Sequence, residues 1–331
     1  MRRALGPLLV VLALASGMAG AGEAKTILIV AGTEKQIFLP AILAERLGYF
    51  RDEGLDVELQ SEPSGVRAAD VLLAGSAHGV IGSYDHTIDL QAKGKSVQSV
   101  VQLAIAPGEV ELVASRAADR IRSPADFKGV ALGVTGLGSS TSFLTQYLAL
   151  THGLRLADLN LVPVGAGAPF TQAMRQGRID AGMTTEPTAS LLLASGDAKV
   201  LVDLRTPEGT HKALGGLYPF SCLYMETRWI RKHPEQVQKL VNAFVRTLRF
   251  MAGHSAAEIA AQLPPEMLGG NPAIYVQSLA GSKAMFTADG LMPEAGPATV
   301  LRALQTVNFA VRNKPVDLRE TYTTDFVRAA H

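Results

Sequence analysis

Cysteine is all but missing from this chain: Cys222 is the only one among 331 residues. No internal disulfide can form, so folding in an oxidising compartment must rest on core packing alone. Cys222 lies in Phe220-Ser221-Cys222-Leu223-Tyr224, an apolar, strand-like stretch that predicts a small buried thiol rather than a reactive one. Charged residues are also sparse, at 18% against roughly 25% in ordinary globular chains. Lysine and arginine total 31 and aspartate and glutamate 30, a formal net charge of +1. That balance gives no broad electrostatic footprint, so neither nucleic acid nor anionic lipid is an expected partner. With 47% hydrophobic residues the chain is not a disordered polymer either.

Motifs that carry chemistry are equally thin. The seven histidines, at 78, 86, 152, 211, 233, 254 and 331, include no pair at helical metal-ligand spacing and have no cysteine beside them. No dedicated metal site is expected. There is no Gly-x-Ser-x-Gly elbow, no phosphate-binding loop with its lysine and no dinucleotide fingerprint. An enzymatic reading has no motif to stand on, and no cofactor is expected.

What the chain does have begins at its first residues. Met1-Arg2-Arg3 is a positive start, Leu8 to Ala15 is an apolar run of eight, and Ala19-Gly20-Ala21 has small residues spaced for processing. Residues 1–21 are therefore predicted to be a secretory signal peptide, cut after residue 21 or 24. The run is far short of the ~20 apolar residues that span a bilayer, and no cysteine follows it to carry a lipid. The exported chain is expected to be free of the membrane. Cut at the earlier site, the chain loses Arg2 and Arg3 and keeps 29 basic against 30 acidic residues, a balance of −1.

After residue 25, short apolar runs alternate with helical patterns, the signature of an α/β fold with mostly parallel sheets. Strands are predicted over 26–31, 55–59, 79–82, 97–105 and 109–115, then over 130–134, 160–164, 179–183 and 199–203. A length of 331 residues suits two domains better than one. One crossing between lobes is placed near Ser115 and Arg116, and the return after the Gly- and Pro-rich stretch Thr206 to Pro219. The expected division is 25–115 plus 222–331 for lobe I and 116–221 for lobe II. In the following helix, apolar residues at 237, 240, 241, 244, 245, 248 and 251 trace one face, with Pro234 at its start.

The sharpest local signal is Val130 to Ser142: a strand, two glycines in Gly136-Leu137-Gly138, then Ser139-Ser140-Thr141 opening a helix. Glycines let the backbone approach a ligand, and the free amides and hydroxyls of a helix start can grip a small anion. Three further loops follow predicted strands at their carboxyl ends, where ligands of open α/β sheets gather. They are Thr33 to Gln36, Ser83 to His86, and Thr184-Thr185-Glu186. Glu186 reads either as an acceptor for a ligand or as a carboxylate favoured at the positive end of a helix. His86 beside Asp85 reads as a hydrogen-bonding loop histidine rather than half of a catalytic pair.

Short motifs follow one another in order along the chain: Leu47-Gly48-Tyr49-Phe50 with Glu53-Gly54-Leu55-Asp56-Val57, then Leu73-Ala74-Gly75 leading to Gly79-Val80-Ile81-Gly82. They continue through Ser123 to Gly129, Gly138-Ser139-Ser140, Gly177-Arg178-Ile179-Asp180-Ala181, Glu186-Pro187 and His233-Pro234-Glu235. In these the chain resembles the nitrate/sulfonate/taurine family of solute-binding proteins that serve ABC importers, which also includes thiamine-precursor binders. The resemblance implies a type II periplasmic-binding-protein fold: two lobes, two crossover hinge strands and a ligand in the cleft between them. It implies a monomer in the periplasm that closes on a small, anionic organic solute and delivers it to an ABC permease with its ATPase. By position, Lys35, Gln36, Ser83, Tyr84 and Asp85 would face Gly138, Ser139, Ser140, Thr141, Thr185 and Glu186. Thr184-Thr185-Glu186-Pro187 departs from the Asp-Pro or aromatic that relatives often place there, which leaves the solute open. The cysteine cluster and paired histidines of the pyrimidine-precursor synthase branch are not found. The competing readings are an exported enzyme on the same scaffold, with Glu186 or Asp85 and His86 as acid or base, and a ligand-presenting partner of a membrane sensor.

Overall fold

A computed structural model describes residues 25–331, so the predicted signal peptide and its cleavage sites lie outside the described residues. Four strands open the chain: β1 (Thr26–Val30), β2 (Val57–Ser61), β3 (Gly79–Ser83) and β4 (Val97–Gln102). Five follow as β5 (Glu109–Ala114), β6 (Ala131–Val134), β7 (Asn160–Pro163), β8 (Ala181–Thr185) and β9 (Ala198–Leu204), and β10 (Ser221–Glu226) comes last. They form two sheets in the orders β2-β1-β3-β10-β4 and β7-β6-β8-β5-β9. Each sheet has a parallel half built from βα units. Each also has one antiparallel strand donated after a crossing: β10 between β3 and β4, and β5 between β8 and β9.

The first crossing lies elsewhere than the sequence places it. Glu109–Ala114, expected on the first lobe's side of a crossing near Ser115, pairs with β8 and β9 and belongs to the second sheet. The chain therefore leaves the first sheet after Gln102, and residues 103–108 are the link. A strand that ends one sheet and a strand that starts the next look alike in sequence when both are buried, and all six residues of β5 are buried. The return link holds a second surprise. Within the Gly- and Pro-rich stretch ahead of the return crossing, Pro207–Leu214 is a helix, with Thr206 Oγ1 accepting from Gly209 N and Gly215 left-handed at its end. Proline at the first helical position and glycine just past the last are helix punctuation, not breakers.

The two links touch. Phe220 N donates to Ala104 O at 2.8 Å and Leu103 N to Ser221 O at 2.7 Å, joining them into a two-stranded hinge. Gly108 has φ +64°, and a Cβ there would stand 2.6 Å from Met285 Sδ and 2.9 Å from Ile37 Cδ1. Only glycine accepts both the backbone and the crowding.

One core lies on each sheet. The first gathers Val80, Ile81, Val100 and Leu223 with the helix Pro234–Gly253, whose seven predicted apolar positions are all buried. Each side chain the size of Leu240 or Phe244 contributes roughly 1.5–3 kcal/mol by leaving water. The second packs Val110, Leu112 and Leu132 against Phe170. The first core does not stop at the lobe boundary: Phe143, Leu144 and Tyr147 of the helix Ser140–Thr151 join it, and that helix packs on Gly296–Val307. The lobes are shut against each other. Cys222 is fully buried in β10, and burial pushes its thiol well above the ordinary range, as an inert structural thiol requires.

Candidate functional site

The loops at the carboxyl edges of β1, β3, β6 and β8 converge on the seam between the lobes. They line a narrow pocket of about 20 Å³, with Lys35, Ser83 and His86 on one side and Ser139, Ser140, Thr141 and Thr185 on the other. That volume holds about one water. A larger depression of about 510 Å³ lies at the opposite, amino end of β1 among Thr26, Asp56 and Lys232, open to solvent and remote from these loops.

The cavity is marked by polar atoms without partners. Among the described residues, Ser83 Oγ, His86 Nε2, Ser139 Oγ and Glu109 Oε2 are buried and make no hydrogen bond. Buried polar groups are nearly always paired, and each orphan costs free energy. Four of the ten buried unpaired side-chain atoms among the described residues thus belong to residues lining this one cavity, from both lobes. Ser139 shows how the sequence produces this. It is the N-cap of the helix Ser140–Thr151, yet its hydroxyl does not cap that helix, which leaves the hydroxyl available at the positive helix end. His86 approaches just as closely on the other lobe: a Cβ at Gly65 would stand 2.3 Å from its Nε2, so the helix start at Gly65 must be glycine.

Charge at the seam is unusual. Lys35 is 6% exposed, and its Nζ donates to Ala31 O at 2.6 Å and Pro63 O at 3.3 Å. Burial lowers its pKa, against the pull of Glu34 and Glu109. Three further carboxyl groups are buried in the same region. Asp85 Oδ1 accepts from Ser140 Oγ across the seam at 3.0 Å, and its Oδ2 accepts from Tyr218 OH at 3.2 Å. Glu109 lines the cavity, and burial followed by the Asp85 charge holds its carboxyl well above the usual range. Glu111 accepts from Thr145 Oγ1 at 2.7 Å, and burial pushes it up to about 8.

The structure sorts the residues singled out in the sequence. Lys35, Ser83, Ser139, Ser140, Thr141 and Thr185 line the cavity. Asp85 stands behind them as an interlobe acceptor. Gln36 instead ties the first lobe to the C-terminal helices, its Nε2 donating to Tyr275 O and Ser278 Oγ, while its backbone N reaches Glu186 O at 3.0 Å. Tyr84 turns away to hydrogen-bond Thr321, and Gly138 serves as a left-handed turn beside Val66. Glu186 does not line the cavity: Arg205 Nη1 and Ser190 Oγ donate to its Oε1 at 2.6 and 2.9 Å, and Ser190 N to its Oε2 at 2.9 Å. Its carboxylate serves the helix Thr188–Ala194 and an ion pair. Among the described residues no group of His, Cys, Asp and Glu is placed to hold a metal ion.

The family profile described as NMT1/THI5 like matches residues 36–257. The chain belongs to the NMT1/THI5-like family. A 4-amino-5-hydroxymethyl-2-methylpyrimidine phosphate synthase of Aspergillus parasiticus is 28% identical over 244 residues, 70% of this chain and 68% of the relative. A solved structure from Bordetella bronchiseptica RB50 is 36% identical, with a TM-score of 0.88 over 93% of this chain and 97% of that one. The alkanesulfonate-binding protein SsuA of Xanthomonas axonopodis pv. citri, bound to MOPS, has a TM-score of 0.72 at 21% identity, covering 92% and 99% of the two chains. The fold is that of the type II periplasmic-binding proteins.

In this NMT1/THI5-like chain, sequence reasoning missed Glu109 and passed over His86. The rule that ligands gather after the carboxyl ends of strands applies to parallel strands. β5 runs antiparallel, Glu109 opposite Thr185, so its first residue rather than its last reaches the cleft edge. Phe220, just ahead of antiparallel β10, lines the cavity for the same reason. The alternation Glu109-Val110-Glu111 was the available signal: two acids on one face of an otherwise apolar strand.

Proposed function

We propose that this protein is the solute-binding component of an ABC import system. It captures a small, acceptor-rich organic solute between its lobes and delivers it to a membrane permease with its ATPase. Sulfonates, taurine-like compounds, carboxylates and thiamine precursors are the classes to try first. The observation that carries this reading is the set of unpartnered buried atoms on residues of both lobes that line one narrow pocket between them. A ligand shifts a conformational equilibrium only by its differential affinity for the two states. One that satisfies Ser83 and His86 together with Ser139 favours the shut form, whereas one that touches a single lobe does not. Export to the periplasm through a cleaved leader, free of the membrane and as a monomer, completes the proposal.

The test is mass spectrometry of small molecules retained by gently purified protein, followed by calorimetry with whatever is found and with a panel of those classes. Tight binding with a decrease in radius by X-ray scattering is expected. A folded sample silent across the panel, with nothing retained, overturns the proposal. The synthase name carried by the Aspergillus relative, together with the unpartnered His86 Nε2 in the cavity, motivates one alternative, an exported enzyme. Recovery of the bound solute chemically unchanged after long incubation removes it.

A further inference from the structure

We propose that Glu109 meets the captured solute as a carboxylic acid, its Oε2 donating a hydrogen bond to an acceptor oxygen of the solute, so that the closed cleft holds one proton there. This rests on the solute-capture reading above. Glu109 is 3% exposed, lines the cavity beside Ser83, His86 and Ser139, and has no partner at Oε2, Lys35 included.

The groups packed around it decide its form. From the first lobe come Asp85, whose two oxygens already accept from Ser140 and Tyr218, and Lys35, whose ammonium is directed at the carbonyls of Ala31 and Pro63. His86 shares the cavity from the same side. From the second lobe comes Glu111, two residues along the same strand face, held by Thr145. The Tyr218 hydroxyl stands with Asp85, and burial drives it far above its ordinary range. Glu109 thus faces two further carboxyl groups, Asp85 and Glu111, while the one buried ammonium that opposes them, Lys35, is also drawn on by Glu34, and a carboxylate with a bare oxygen is the costliest occupant of such a place. Burial, Asp85 and Glu111 all raise the pKa of Glu109, with Lys35 alone opposing.

Protonation resolves the like-charge conflict and turns Oε2 from a repelling acceptor into a donor. The Ser83 and Ser139 hydroxyls then join it as a ring of donors around one acceptor-rich group. No covalent bond changes: as the lobes shut, the proton stays on Glu109 or is taken from solvent.

Two measurements on the full chain test this. Infrared difference spectroscopy at pH 7, which needs no ligand, is expected to show a protonated-carboxyl carbonyl band that Glu109→Gln removes. Identical carboxylic-acid regions in the two proteins overturn the proposal. Calorimetric titration with ethanesulfonate, whose charge is constant from pH 5 to 9, is expected to give an affinity that is level while the ligand-free protein still shows the Glu109 acid band and that falls, by at most ~10-fold per pH unit with up to one proton taken up, once that band is lost. Glu109→Gln is expected to lose any such fall whichever way its absolute affinity moves, and a wild-type affinity that stays level or rises across the pH range where the ligand-free band has disappeared overturns the proposal. If ethanesulfonate binds at no pH, that solute class fails while the infrared result still decides the state of Glu109.

Discussion

Ser140 of the second lobe donates its hydroxyl to Asp85 of the first, Oγ to Oδ1 at 3.0 Å, and no other side chain-to-side chain hydrogen bond among the described residues joins the two cleft-facing helix starts as directly. Read from sequence, Ser140 is a solute contact; in the shut protein its hydroxyl is already committed to a residue of the opposite lobe. It acts as a latch. Ser140→Ala is therefore expected to weaken closure by about 1–3 kcal/mol, the range for a hydrogen bond to a carboxyl group. Fluorescence transfer between labels on the two lobes should show a larger open population in the ligand-free variant, with apparent affinity reduced by the same factor. Lost affinity with unchanged closure would return Ser140 to the role of solute contact.

Ser139 is the opposite case, a hydroxyl with nothing to bond in the shut cleft. Replacing it by alanine removes an unsatisfied buried polar atom, so the ligand-free protein is expected to melt at the wild-type temperature or slightly above. Solute affinity is expected to fall by about 1 kcal/mol for a neutral partner and up to ~3 for a charged one. Thermal melts and calorimetry on the same preparation check both halves. A variant that loses stability and keeps its affinity would show a structural serine.

Much of the fold was legible because β-strand and helix periods differ, as the long helix from Pro234 shows with its apolar positions all buried. The parallel half of each sheet could be read the same way, and with it the cleft loops at Lys35, Ser83 and Ser139. What escaped was everything set by antiparallel insertion. β5 and β10 each belong to the sheet across the hinge from their nearest sequence neighbours, and no local pattern records which sheet a buried strand joins. Glu186 was misplaced for a different reason. A carboxylate ahead of a helix suits that helix equally well with or without a solute, and the deciding partner, Arg205, lies 19 residues further on, across a strand.

Gly108 fixes the hinge by its emptiness. Gly108→Ala is expected to be destabilising by about 1–3 kcal/mol, combining the left-handed backbone penalty with overpacking against Met285 and Ile37. Chemical denaturation measures this. In a Met285→Ala background the same Gly108→Ala change should cost less than it does in wild type, because the Met285 sulfur is the nearest atom to the new methyl group. An alanine variant as stable as wild type would mean that the hinge backbone shifts freely.

Glu111 makes stability depend on pH, and the sign is fixed by its direction of shift. Its carboxyl stands at about 8 in the folded protein against 4.5 in ordinary surroundings. Below about pH 4.5 it is protonated in both folded and unfolded chains and contributes no penalty. Between 4.5 and 8 the unfolded chain releases the proton while the folded chain keeps it, so stability falls as pH rises, at a rate of up to ~1.4 kcal/mol per pH unit. Above 8 the loss from this group is complete. Glu111→Gln keeps an acceptor for Thr145 and carries no proton to lose, so denaturation midpoints for the variant should decline less steeply across that window and lie above wild type at pH 8. Glu109 adds a slope of the same sign, which is why a residual decline is expected in Glu111→Gln and a flatter profile still in the double variant Glu109→Gln, Glu111→Gln. Parallel profiles for wild type and Glu111→Gln would show that Glu111 is ionised in the fold, and that the seam tolerates its charge.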